Sequence, residues 1–323
     1  MDFSKKVLKI ETEAEAERIS RFIREQVLAR YKRKGVVVGI SGGVDSALMA
    51  ALSVRALGAE KVLGLIMPEK ESSPVSEPYG REQAQALGIQ VEYIDLTPLL
   101  SALGVYEKKT RVIRRLCGDY EPDRDKTKIS LPGNLLERAE LNVFSLTVEK
   151  PDGTAHSFRL GPEDFRSIYA AQNIKTRMRM IQLYYHGEKN HYVVGGTTNR
   201  TEMEQGFFVK YGDGGVDIEP IAHLYKTQVL QLARSMGVIE RILKRRPSPD
   251  TWSGEVGDEE FYFRMPFEIL DLLLYAWNHG VAKDRIREVL GLRDEQIDRA
   301  FRDFESKSRA TWHLRCVAPS LMS

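Results

Sequence analysis

The chain has 323 residues, 29% charged and 42% hydrophobic, with a formal net charge of +2. That is the make-up of a soluble chain large enough for one sizeable domain, with no global field arguing for a nucleic-acid partner. The two cysteines, Cys117 and Cys316, lie far apart in sequence, so neither a disulfide framework nor a Cys-rich zinc site is expected, which fits a reducing cytoplasm.

The N-terminus, MDFSKKVLKIETEAEAERI, is charged throughout and lacks the apolar core of a secretory signal. No apolar run along the chain approaches the roughly 20 residues of a membrane span. Ile19, Phe22, Ile23, Val27, Leu28 and Tyr31 repeat at helical spacing and predict an amphipathic helix. Val36–Ile40 reads as a buried strand, followed by the loop Ser41-Gly42-Gly43-Val44-Asp45-Ser46 and a helix from about Ala47. Val62–Met67 is a second strand, ended by Pro68. A Ser/Pro/Glu loop, a helix over Tyr79–Leu87 stopped by Gly88, and a third strand at Gln90–Ile94 follow. Strands alternating with helices predict a parallel, doubly wound α/β sheet of Rossmann-like type.

Residues 107–165 break that rhythm. Lys108–Arg115 is basic, Cys117–Lys128 polar and turn-like, and Asn142–Glu149 with Thr154–Leu160 flank a Pro-Asp-Gly turn as a β-hairpin. This segment is expected to be an insertion in a single domain spanning 1–323. A helix over Ser167–Tyr185 and a strand at His191–Gly195 resume the pattern, and the chain reads as mostly helical from Asp258 onward.

The loop after the first strand carries the chemistry. Two adjacent glycines let backbone N–H groups close on an anion, and the helix N-terminus adds donors and its dipole. Ser41 and Ser46 add hydroxyls, and Asp45 is placed to hold a metal against a polyphosphate. The loop has neither the Lys of G-x-x-x-x-G-K-[ST] nor the spacing of G-x-G-x-x-G. S-G-G-x-D-S between strand and helix resembles the signature of the PP-loop ATP pyrophosphatases. A second polar segment, Gly195–Lys226, follows a strand and so lies at a carboxyl edge again.

In chain order, SGGVDS, NIKTRMRM (Asn173–Met180), GTTNRTE (Gly196–Glu202), GFFVKYGDGGVDIEP (Gly206–Pro220) and LYKTQV (Leu224–Val229) resemble the motifs of the NAD synthetases. The resemblance covers most of the chain outside 107–165 and weakens toward the C-terminus. It implies the adenine nucleotide alpha hydrolase type of fold and amidation of deamido-NAD by ammonia through an acyl-adenylate, releasing AMP and pyrophosphate. It implies that Gly39, Ile40, Ser41, Gly42, Gly43, Val44, Asp45 and Ser46 wrap the phosphates of ATP, the co-substrate. Thr197, Lys226 and Ser248 would also touch ATP. Asp45 and Glu202 would hold Mg²⁺, with Asp45 and Lys226 catalytic. Arg177, Lys210, Asp217 and His313 would hold deamido-NAD, and a homodimer is implied as the family habit.

Each residue also has a structural reading: a helix cap for Glu202, solvated charges for Lys210 and Lys226, an ion pair for Arg177. Where family members often end in His-Lys-Arg, this chain has His313-Leu314-Arg315. No Glu/Lys/Cys constellation accompanies Cys117, so free ammonia, or ammonia from a separate glutaminase, is the expected donor. Competing functions are a sister adenylating ligase for another carboxylate, a non-catalytic nucleotide binder and, more remotely, a tRNA-thiolating relative. Tyr211–Gly215 and Pro247–Gly257 read as mobile loops.

Overall fold

The computed structural model describes residues 3–137 and 142–321. Helix α1 (Thr12–Arg24) has Glu13 and Glu15 in its first turn and Arg21 and Arg24 in its last, matching its dipole. It buries Ala16, Ile19 and Ile23 and continues as a wider turn to Arg30. The buried strand β1 (Gly35–Gly39) follows. Alternation sends Val36 and Val38 into one core and Val37 into another on the opposite face. Helix α2 (Val44–Leu57) starts three residues before the predicted Ala47. Gly43 is extended at its N-cap, so Val44, Asp45 and Ser46 already form the first turn.

Strand β2 (Val62–Ile66), helix α3 (Ser76–Leu87) and strand β3 (Gln90–Tyr93) step outward from β1. Helices α4 (Thr97–Ala102) and α5 (Val105–Leu116) follow. Strands β4 (Lys126–Ser130), β5 (Ser145–Glu149) and β6 (Ala155–Arg159) form a separate antiparallel sheet. The expected hairpin is therefore present, with a third strand on it. Sequence reading missed β4 because Lys-Thr-Lys-Ile-Ser is polar overall, yet its alternation buries Thr127 and Ile129. Residues 138–141 of the expected insertion lie outside the described residues.

Helix α6 (Pro162–Asn190) is longer than predicted at both ends, opened by a proline in its first turn and closed by His191 in the left-handed region. Strand β7 (Tyr192–Val194) then pairs with the other side of β1, giving the parallel order β3-β2-β1-β7. Helices α1 and α2 cover one face, and α4, α5 and α6 the other, which is the doubly wound arrangement expected. The strand order reverses at β1, so a crevice opens at the carboxyl ends of β1 and β7. Helices α7 (Arg200–Gln205), α8 (Lys226–Ser235) and α9 (Glu240–Lys244) follow. The helical C-terminal part comprises α10 (Phe267–Asn278), α11 (Lys283–Leu290), α12 (Asp294–Ala310) and α13 (Trp312–Arg315). It has its own core, with Leu270, Leu273, Ile286, Ile297 and Phe304 fully enclosed. No helix among the described residues is long and apolar enough to cross a membrane.

Behind the crevice lies a buried ionic cluster. Lys175 of α6 donates to Glu69 Oε1 at 2.9 Å and Glu71 Oε2 at 2.5 Å. Lys109 of α5 pairs with the other oxygen of Glu71, and the Tyr106 hydroxyl donates to Glu69 at 2.7 Å. Two carboxylates and two ammonium groups balance, which is what makes their burial tolerable. Burial alone would raise the Glu71 carboxyl, but Lys109 and Lys175 outweigh it and hold it at about 2. The folded value is below the unfolded one, so the stabilisation is present above about pH 4.5 and lost as pH falls toward 2. By linkage this is worth about 3 kcal/mol. The thermal midpoint should therefore fall more steeply between pH 4.5 and 2 in the parent chain than in Glu71→Gln. Parallel curves would show that this pairing does not govern acid stability.

Candidate active site

The loop after β1 closes tightly. Ser41 N donates to Ser46 Oγ at 3.2 Å, Ser46 Oγ donates to Gly43 O at 3.0 Å, and the two hydroxyls lie 3.1 Å apart. Gly42 has φ +72°, and a Cβ there would meet Ser76 O at 2.4 Å. Opposite the loop, Asn199 caps α7 in a reciprocal box: its side chain accepts from Glu202 N while Glu202 Oε2 accepts from Asn199 N. Asn199 Nδ2 also donates to Asp45 Oδ1 at 2.9 Å. The structural reading of Glu202 as a cap thus holds for one of its oxygens. The other, Oε1, faces Lys226 Nζ at 3.6 Å.

Lys226 is buried, not solvated, and sits between carboxylates, 2.5 Å from Asp45 Oδ2. Burial would lower its pKa, but Asp45, Glu202 and Asp258 outweigh that and hold it well above the ordinary lysine value. Its helix is anchored from the C-terminal part. Asp271 of α10 accepts from the Thr201 hydroxyl at 2.7 Å and from Thr227 N at 2.8 Å, and Thr201 Oγ1 accepts from Lys226 N. Glu202 is pushed above the usual carboxylate range, first by burial and then by Asp45. Asp258, fully buried, is pushed up to about 6 by burial, and its Oδ1 has no hydrogen-bond partner among the described residues.

Asp45, Glu202 and Asp258 offer hard oxygen ligands, and the Lys226 ammonium already stands among them. This donor set fits Mg²⁺. Among the described residues no three His, Cys, Asp or Glu converge closely enough to hold a metal unaided. Phosphate oxygens are the natural remaining ligands, the usual manner in which Mg²⁺ is held.

Two cavities of about 260 Å³ each meet at Ser41, Ser46, Thr176, Thr197, Asp213 and residues 249–251. One contains Asp45, Glu202, Lys226, Ser248 and Asp258 and has an aromatic wall of Tyr169, Phe207, Phe208, Trp252 and Phe261. The other is walled by Gly39, Ile40, Leu65, Ile66, Met67, Leu183 and Val216 at the strand ends. The structure therefore brings Gly39–Ser41, Gly43–Ser46, Thr197, Glu202, Lys226 and Ser248 together around one crevice, with Gly42 in the same loop but lining neither cavity.

The four residues expected on deamido-NAD are placed differently. Arg177 Nε donates to Lys210 O at 3.3 Å, and Lys210 Nζ donates to His313 O at 3.0 Å and Cys316 O at 2.8 Å. These three form one corner that flanks the cavities without lining them. Arg315, next to Leu314, donates to Met203 O and pins α13 onto α7. Asp217 stands apart: its carboxylate accepts from Val194 N at 2.8 Å and Tyr184 Oη at 3.2 Å, tying β7 to α6. As placed, it braces the sheet edge, a structural role beside the expected one on substrate. Asp217→Ala should cost about 1–3 kcal/mol by leaving the backbone donor unmatched. Thermal unfolding tests this, since a residue that served substrate alone would leave the midpoint unmoved.

A family model described as NAD synthase matches residues 15–116 and 122–310. The chain belongs to the NAD synthase family. It is 45% identical over 308 residues to the NH₃-dependent NAD⁺ synthetase of Mesorhizobium japonicum, covering 95% of this chain and 96% of that one. It is 42% identical over 320 residues to the Rhizobium meliloti protein of the same name, covering 99% and 95%. Among solved structures, NH₃-dependent NAD synthetase from Campylobacter jejuni superposes with a TM-score of 0.62 at 20% identity, covering 97% of this chain and 100% of that one. NMN synthetase from Francisella tularensis gives the same TM-score at 21% identity, covering 97% and 99%. At such identity these two speak for the fold.

Asn199, Asp258, Asp271 and the aromatic wall were not found from sequence. Asn199 carried a signal, the N-x-x-E of a capping box across Asn199 and Glu202. Phe207 and Phe208 lay inside a motif already singled out. Asp258 and Asp271 reach the site only through tertiary packing.

Proposed function

We propose that this chain converts deamido-NAD to NAD with ATP and ammonia, through an acyl-adenylate. The observation that supports this most directly is a phosphate cradle, an acidic cation site and an aromatic-walled cavity in one crevice. The apolar cavity at the strand ends suits the adenosine of ATP, which sets the phosphates against Ser41–Ser46 and Lys226. The aromatic wall suits the nicotinate ring, whose carboxylate then faces the α-phosphate. Carboxylate oxygen attacks the α-phosphorus and pyrophosphate leaves. Ammonia then attacks the acyl carbon, AMP leaves, and the nitrogen loses a proton.

The chain's contribution is to position and to neutralise charge. Backbone donors of the cradle hold phosphate oxygens in place, and the Lys226 ammonium offsets charge that grows on them. Asp45 and Glu202, braced by Asn199, would hold Mg²⁺, which supplies charge neutralisation across the phosphates. Asp258 faces the same cavity with a free oxygen, available to a cation or a proton.

Arg177 shares a helix face with Ile181 and Tyr185, which are 47% and 57% exposed. An exposed apolar stripe beside an expected substrate residue supports a homodimer in which a second copy covers this face. Tyr185→Glu should then shift the molecular mass measured by light scattering to that of a monomer.

The decisive assay follows AMP and NAD with ATP, Mg²⁺ and ammonia, with and without deamido-NAD, and with glutamine in place of ammonia. Release of both products that depends on deamido-NAD and ammonia is expected. Tight ATP binding with no turnover on deamido-NAD would move the reading to a sister ligase, and nicotinate mononucleotide is the first alternative to test.

A further inference from the structure

Residues 245–258 overhang the cradle. Ser248, Asp250, Thr251, Trp252 and Asp258 face the first cavity. Such a segment has few local bonds of its own, so what fixes it governs the site. Its ties run in two directions.

The first set comes from the buried ions. Lys175 Nζ, besides its two carboxylates, donates to Thr251 O at 2.9 Å, and Gln172 Nε2 donates to the same carbonyl at 3.0 Å. The carboxylates that hold Lys175 stand on the loop after β2, and that loop meets the overhang again. Asp250, in the left-handed region at φ +49°, accepts from Ser73 N and the Ser76 hydroxyl, each at 2.8 Å. Arg245 donates to Gly42 O at 3.1 Å, so the cradle itself is part of the weld. The second set comes from the three-stranded sheet. Its edge strand β4 lends Thr127, whose N donates to Ser253 Oγ at 2.9 Å and whose carbonyl accepts from Gly254 N at 3.0 Å. Lys109 reaches the Thr127 hydroxyl at 3.5 Å and lies over the Trp252 ring at 5.4 Å, which joins the two sets.

We infer that Lys175, held by Glu69 and Glu71, is a positioning residue that fixes the Thr251 carbonyl, and that the sheet containing β4 serves as the second anchor of the same overhang. Lys175 lines neither cavity. It acts by holding residues 248–252 so that Ser248, expected on ATP, faces the first cavity, and this role rests on the function proposed above. The segment expected as an insertion thereby gains a role, because the overhang itself occupies its exposed strand edge.

A charge-balanced double variant, Lys175→Met with Glu69→Gln, tests the inference, because Glu71 and Lys109 still neutralise each other. Amides of residues 249–254 should exchange with deuterium at least about tenfold faster, with β1 and α2 unchanged. The kcat/KM for ATP in AMP release should fall by about tenfold, mostly through KM, and Lys175→Arg should recover part of it. A folded double variant with parental exchange in that loop, or with parental kcat/KM for ATP, overturns the inference. If the double variant does not fold, Ser253→Ala decides, since it removes the side-chain half of the tie to β4, leaving the Gly254–Thr127 backbone bond, without altering a buried charge. Faster loop exchange and a weaker ATP KM, each by about threefold, support the inference, and parental values of both overturn it. Exchange is read without turnover, so it stands whichever carboxylate is the substrate. A parent chain that released no AMP would instead sink the proposed function and leave the anchoring result intact.

Discussion

Asp45→Ala is expected to lower AMP release by on the order of 10²–10³-fold while leaving the protein folded. Asp45 is the residue on which the two halves of the site meet. One oxygen accepts from Asn199, and the other pairs with Lys226. Its loss removes a hard oxygen from the proposed cation site and releases Lys226 toward Glu202 and Asp258, whose carboxylates keep the ammonium charged. The cost should fall on chemistry more than on stability, because three carboxylates around one ammonium already carry an excess of negative charge. The thermal midpoint should stay within about 3 °C of the parent. Manganese binding in the presence of ATP, read by electron paramagnetic resonance, should weaken in parallel with activity. Unchanged manganese affinity would take Asp45 out of the cation site.

Gly42→Ala is expected to be nearly as damaging, for a reason that lies in the backbone. At φ +72° an alanine is strained by about 1–2 kcal/mol. The added Cβ would also stand 2.4 Å from the Ser76 carbonyl oxygen, which is backbone and has no free rotation to offer. The loop after β1 can relieve this only by lifting away from α3, and Arg245 then loses its acceptor at Gly42 O. ATP affinity measured by calorimetry should drop by at least about tenfold. Parental affinity in Gly42→Ala would show that the cradle tolerates another shape.

These effects divide along the same line as what could be read from the chain. SGGVDS was legible because strand, glycines and helix start are adjacent, so geometry and chemistry share one short stretch. Glu202 and Lys226 were legible for the same reason, each lying in a compact motif at the mouth of a strand or helix. The Lys175 cluster was not, although Lys175 lies inside the NIKTRMRM motif: its partners Glu69 and Glu71, and the Lys109 that shares Glu71, come from two other elements. Asp217 shows a role the sequence could not reveal. Its motif suggests a ligand, and its carboxylate also sits where a backbone N–H of β7 needs an acceptor, which only the folded sheet shows. Strand β4 was hidden because its buried side is only Thr127 and Ile129, and it becomes a strand by pairing with β5.

The pairing of β7 with β1 also governs when the site comes into being. Asp45 and Lys226 are 181 residues apart in sequence, and Lys175 and Thr251, which sets the overhang, are 76 apart. A chain emerging from a ribosome can form β1, α2, β2 and β3 from local contacts, but it holds only an open cradle until α8 and the overhang have followed. Closing such long loops is the slow part of folding. Nascent or truncated chains ending before α8 should carry the complete SGGVDS loop and yet bind no metal-bound nucleotide, so ATP capture marks the end of folding in this molecule.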